Sequence, residues 1–96
     1  MKISKSVNNN EMLLKLEGWL DTESSLELKE AIDGMEEGIE SMAFDMEKLE
    51  YISSSGVRLI VAAQKKMNGN FKLMNVTESI LNVLDATGIT KRVEII

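Results

Sequence analysis

Three adjacent hydroxyls, Ser53, Ser54 and Ser55, stand directly before Gly56 in the stretch "YISSSGVRLI", residues 51–60. A helix N-terminus uses one side-chain acceptor to satisfy a free backbone N–H of its first turn. Capping therefore explains one serine of the three, and small residues before Gly56 also suit a tight turn. Covalent modification is the functional alternative. A serine at a helix start is a favourable seat for a phosphate, because free N–H groups and the helix dipole both favour an anion there. A phosphate adds a charge of roughly −1.5 to −2. It changes what can pack on the surface without unfolding the domain.

Other chemistry is poorly supplied. A nucleophilic serine needs an adjacent base. The chain has no histidine, no G-x-S-x-G elbow and no Ser-x-x-Lys pair. It has no cysteine either, which excludes disulfides, thiolate nucleophiles and zinc-thiolate sites. No G-x-x-x-x-G-K-[ST] phosphate loop is present, so nucleotide hydrolysis has no support. Asp21, after Trp19 and Leu20, reads first as a helix cap. Asp45, Glu47 and Glu50 read as a solvated rim, since no EF-hand spacing connects them. No catalytic residue, metal ligand or cofactor site is expected.

These residues must be positioned by regular elements. "KISKSV" alternates, "NNN" at 8–10 signals a turn, and "EMLLKLEG" runs apolar to Gly18; together they predict an antiparallel hairpin. Asp21, Thr22 and Ser24 mark a helix start, with Ser24 and Glu27 as a capping box. Leu28, Ile32, Met35 and Ile39 then recur at helical spacing beside Ala31, with Glu30, Asp33, Glu36 and Glu37 on the other side. Gly34 and Gly38 weaken this helix towards its end. "MAFDM" at 42–46 reads as a buried strand, and "LEYISSSG" as a loop at its carboxyl end. The helix "GVRLIVAAQKKM" presents Ile60, Ala63 and Met67 on one face, and "NGN" at 68–70 breaks it. "FKLMNV" is the next strand. Thr77 caps a short helix carrying Ile80, Leu81, Val83 and Leu84, which Gly88 ends. "VEII" is a last extended piece. The seven methionines read mostly as core filling.

Strands alternating with helices imply a partly parallel sheet with right-handed crossovers. The expected fold class is α/β: a mixed sheet of about four or five strands with helices packed against it. With 96 residues and no linker or repeat, a single domain over 1–96 is expected. The hydrophobic fraction of 44% and charged fraction of 28% are those of an ordinary globular protein. No apolar run approaches the roughly 20 residues that span a bilayer. "MKISKSVNNN" lacks the apolar core of a signal peptide, so the cytoplasm is the expected location. The net charge of −5 and the few aromatics argue against nucleic acid as a partner. An acidic surface suits a partner with a basic patch, or simply keeps the chain soluble.

Nearly the whole chain resembles a known family. "LEGWLDTESSLELKEAI" looks like its opening strand-helix junction. "FDMEKLEYISSSGVRLIVAAQKKM" looks like its central strand, serine loop and helix. "FKLMNVTESILNVLDATGITKRVEI" looks like its closing strand, helix and tail. The family is the STAS domain, in the stand-alone bacterial form of anti-sigma factor antagonists. The resemblance implies a non-enzymatic module for partner switching in sigma factor regulation. The unmodified antagonist would bind an anti-sigma factor that is also a serine kinase. Phosphorylation of the loop serine would release it, and a PP2C-type phosphatase would reverse the mark. The family's loop is usually Asp-Ser-Ser/Thr-Gly, which places the phosphorylated serine at Ser54, with Ser53 and Ser55 as rivals. Ser53 stands where the Asp usually is. Asp21 matches the acidic residue of the first strand-helix junction. Asp21, Ser53, Ser55, Gly56 and Arg58 are the expected partner-binding residues. Two other readings stay open: a phosphorylation-independent STAS scaffold, and a small-ligand or nucleotide sensor.

Overall fold

The computed structural model describes residues 1–96. The chain runs β1 (Lys2–Asn8), β2 (Glu11–Leu20), α1 (Thr22–Asp33), β3 (Ser41–Ile52), α2 (Ser54–Lys66), β4 (Phe71–Met74) and α3 (Glu78–Ala86). A 3-10 turn (Ile89–Lys91) and β5 (Glu94–Ile95) complete it. All five strands form one sheet in sequence order. β1 pairs antiparallel to β2, and β2 to β5 run parallel. This is the mixed α/β sheet the pattern predicts.

The hairpin turn is Asn9–Asn10. Asn9 adopts a φ of 57°, which asparagine tolerates because its short side chain bonds locally. After the hairpin, each crossover advances one strand in the same direction. Right-handed crossovers therefore place α1, α2 and α3 on one face of the sheet. That inner face carries rows of paired apolar residues: Met12, Met42 and Phe71 in one, Leu14, Phe44 and Leu73 in the next. All six are buried. Phe44 and Phe71 meet edge to face at 4.9 Å, a favoured aromatic geometry. Helix α2 lays Ile60, Ala63 and Met67 onto this layer, as their spacing predicts. The outer face carries charged pairs, Lys15 opposite Asp45 and Lys72 opposite Glu94. Ala43 is buried among them between Leu13 and Lys72.

Several expectations are corrected. Helix α1 ends at Asp33, with Gly34 at its C-cap, so Met35 and Ile39 lie outside it. Both still pack, half-buried, against the core. The chain turns instead at Gly38, whose φ of 90° suits glycine. Val7 is exposed, because the edge strand β1 lies beyond the cover of the helices. Strand β3 spans 12 residues rather than the five of "MAFDM", so Leu49–Ile52 belong to the sheet and not to a loop. Thr77 sits at the start of α3 but makes no cap hydrogen bond. Gly88 does end that helix, at a φ of 77°. Four of the seven methionines, Met12, Met42, Met46 and Met67, are buried in the core.

Burial separates positions that look alike in sequence. Phe44→Ala should cost about 3–5 kcal/mol in urea denaturation, because it opens a cavity in the middle layer. Val7→Ala should stay within about 0.5 kcal/mol.

Candidate functional site

The carboxyl ends of β2 and β3 place two helix starts side by side. Their alignment comes from irregularities in β3. Glu11 pairs with Ser41, an offset of 30 residues, but Leu20 pairs with Ile52, an offset of 32. Register shifts follow Lys15 and Gly18. At the first, the Glu47 N–H donates to Asp45 Oδ1 at 3.1 Å, so the extra residue keeps a partner. The two extra residues bring Ser53 level with Asp21. The Ser53 N–H then donates to the Leu20 carbonyl at 2.8 Å, which joins the two junctions.

Ser53 is the N-cap of α2. Its backbone is extended, and its Oγ accepts from the Gly56 N–H at 3.2 Å. The position where the resembling family usually has Asp is thus filled by a residue that still caps. Ser54 is the first helical residue. It is exposed, and its hydroxyl makes no hydrogen bond within the chain. Ser55 is half-buried and accepts from Arg58 Nη2 at 3.3 Å. Gly56 is buried, and a Cβ there would lie 2.8 Å from side-chain atoms of both Leu20 and Ile52. The glycine is needed for close approach rather than for a special backbone angle.

Asp21 caps α1. Its Oδ1 accepts from the Ser24 N–H at 2.9 Å, and Ser24 Oγ accepts from the Asp21 N–H at 2.9 Å. The capping box is therefore Asp21 with Ser24, not Ser24 with Glu27. Ser24 Oγ also lies 2.6 Å from the Trp19 carbonyl, and Ser25 Oγ donates to the Asp21 carbonyl at 2.6 Å. The Ser24 N–H and hydroxyl together hold the Asp21 carboxyl below its ordinary pKa.

The neighbouring surface holds residues that sequence reasoning missed. Trp19 and Tyr51 are paired across β2 and β3, with ring centroids 5.2 Å apart. They are 58% and 43% exposed, with their ring planes tilted by 39°. Leu26, 63% exposed, lines a groove between α1 and α2 with Leu59, Ala62, Lys29, Ser55 and Arg58. Trp19 and Tyr51 lie 32 residues apart, and only the β2–β3 register brings them together. Leu26 lies off the apolar stripe of α1 and was detectable as such. Asp45, Glu47 and Glu50 do not converge; Asp45 instead accepts from Asn75 at 3.1 Å. No group of three or more His, Cys, Asp or Glu side chains is placed to hold a metal. No helix is long and apolar enough to cross a membrane.

A five-stranded mixed sheet with a serine-capped helix rising from its central strand defines a small α/β fold. The STAS domain family model matches residues 2–96, and the chain belongs to that family. A search of curated protein sequences finds no match. Solved structures with the same fold include the anti-sigma factor antagonist SpoIIAA in its unphosphorylated form. That likeness has a TM-score of 0.76 at 17% identity, covering 99% of this chain and 87% of that one. The phosphorylated form from Bacillus matches at a TM-score of 0.76 and 18% identity, over 99% and 91% of the two chains. A Thermotoga maritima protein described as an anti-sigma factor antagonist matches at 0.87 and 20%, over 97% and 84%. A sulfate transporter family protein from Wolinella succinogenes matches at 0.75 and 19%, over 91% and 74%.

Two substitutions probe the junctions. Gly56→Ala should destabilise the fold by about 1–3 kcal/mol in urea denaturation, since Leu20 and Ile52 must both give way. Asp21→Ala should lower the thermal midpoint more at neutral pH than in acid, where protonation of Asp21 removes the charged part of its contribution. A depressed carboxyl pKa stabilises the fold above the ordinary carboxylate range, near pH 3.9, and this contribution fades as pH falls through the lowered value.

Proposed function

We propose that the chain is an anti-sigma factor antagonist gated by phosphorylation of Ser54. The observation that carries this reading is the state of the three hydroxyls. Ser53 is occupied as the α2 cap, Ser55 is half-buried under Arg58, and Ser54 alone is exposed with an unengaged hydroxyl. Ser54 is therefore the acceptor a kinase can reach, ahead of its rivals Ser53 and Ser55. Asp21, Ser53, Ser55, Gly56 and Arg58 form the centre of the docking surface. The Leu26–Leu59 groove and the Trp19–Tyr51 pair extend it on either side with apolar area. The partner is an anti-sigma factor that is also a serine kinase, and a PP2C-type phosphatase resets the switch. The chain itself is substrate and binding module, a single cytoplasmic domain without enzymatic activity.

The switch follows from desolvation. An unmodified Ser54 is neutral and can be covered by a partner at the cost of one hydroxyl's hydration. A phosphate dianion must be stripped of water or left in clash with the partner, which costs far more. The caps Asp21 and Ser53 need no rearrangement for this to work.

A phosphorylation-independent scaffold is the second reading. The two part in a binding assay with the cognate anti-sigma factor kinase. Ser54→Ala should bind as the natural chain does and take up no phosphate from ATP by intact mass. Ser54→Asp should weaken binding by about tenfold or more, roughly 1.4 kcal/mol, in titration calorimetry. Phosphate uptake by Ser54→Ala equal to that of the natural chain would show the acceptor to be another residue.

A further inference from the structure

Arg58 has a role that capping and docking leave unexplained. Helical side chains lean towards the N-terminus, so a residue in the second turn covers the first. Arg58 does this, with Nη2 donating to Ser55 Oγ at 3.3 Å. Ser54 is its i−4 neighbour, on the same strip of helix surface. Only one of the five guanidinium N–H donors is engaged with a side chain. Arg58 makes no salt bridge, whereas Lys29, the other cation of the groove, is paired with Asp33 at 2.7 Å. The surrounding charges leave Arg58 free. Asp21 is engaged by Ser24, and the neighbouring cap Ser53 is neutral. Glu23 lies on the first turn of α1.

We infer that Arg58 is the intramolecular counter-ion of a phosphate on Ser54, held one helical turn away on the same strip of helix surface. The inference rests on the reading of Ser54 as the modified residue. A guanidinium can grip two phosphate oxygens at once, which an ammonium cannot match. Phosphorylation then changes the surface twice. It adds a dianion at the start of α2, and it draws Arg58 from the mouth of the α1–α2 groove. The partner loses a neutral contact and a cation together. The helix keeps its stability, because the new charge has a partner on the same element.

The test uses the full chain with phosphoserine encoded at position 54, so that no kinase is required. The second ionisation of the phosphate, ordinarily near pH 6, is followed by phosphorus NMR. An ion pair favours the dianion, so the natural chain should titrate lower than R58Q by roughly 0.3–0.7 unit. R58K should fall between them, since it keeps the charge and loses the fork. K29Q should match the natural chain. Equal values for the natural chain and R58Q would overturn the inference, as would a shift in K29Q as large as in R58Q. Failure of a kinase to modify Ser54 would sink the functional reading and leave this titration unchanged.

Discussion

The first turn of α2 rests directly on the ends of β2 and β3, because residue 56 has no side chain. Leu20 and Ile52 occupy the space a Cβ would need, at 2.8 Å. This contact sets the height of the helix above the sheet. It also sets its rotation, since the residue facing the core in the first turn must be Gly56. Ser53 is then left in extended backbone with its hydroxyl over the helix end, and Ser54 is turned to solvent. A larger residue at 56 would lift the turn and disturb every hydroxyl of the site together. Close packing in interiors leaves little slack at such a contact.

The two helix starts at this edge solve the same problem with different charge. Both leave backbone N–H groups without intrahelical partners. At α1, Asp21 supplies an anionic acceptor, reinforced by Ser24 in a reciprocal pair. At α2, Ser53 supplies a neutral one. A neutral cap leaves the positive end of the α2 dipole without a resident anion. The same first turn can therefore be covered by a partner while neutral, or carry a phosphate without a carboxylate in its own cap. The difference between the two caps is what separates a structural junction from a candidate switch.

Much of this was legible along the chain. The hairpin, the order of strands and helices, the buried face of α2 and the Gly88 terminator all follow local rules of periodicity and backbone freedom. What failed did so where non-local packing competed with local pattern. Met35 and Ile39 continue the helical spacing of α1, but Gly34 ends the helix and both residues reach the core from a loop. Ser24 and Glu27 fit a capping box, yet Asp21 takes the N-cap because β2 ends at Leu20 and fixes where the helix can begin. "LEYI" looks like loop, with its charges and lack of clean alternation, but two register shifts keep it in the sheet.

The sequence alone determined that no histidine or cysteine chemistry is available, that strands and helices alternate, and that three hydroxyls meet a glycine before an apolar helix. These are properties of composition and short spacing, and they survive any error in element boundaries. Only the tertiary structure decided which hydroxyl caps, which lies half-buried against Arg58 and which is free. It also decided that Asp21 and Ser53 stand level, and that Trp19 and Tyr51 form a paired aromatic surface beside them. Those facts depend on the offset between β2 and β3, which grows from 30 to 32 residues through irregular pairing. β2 and β3 are parallel and joined through α1, so no tight turn fixes their register, and contacts across the sheet decide where the extra residues fall.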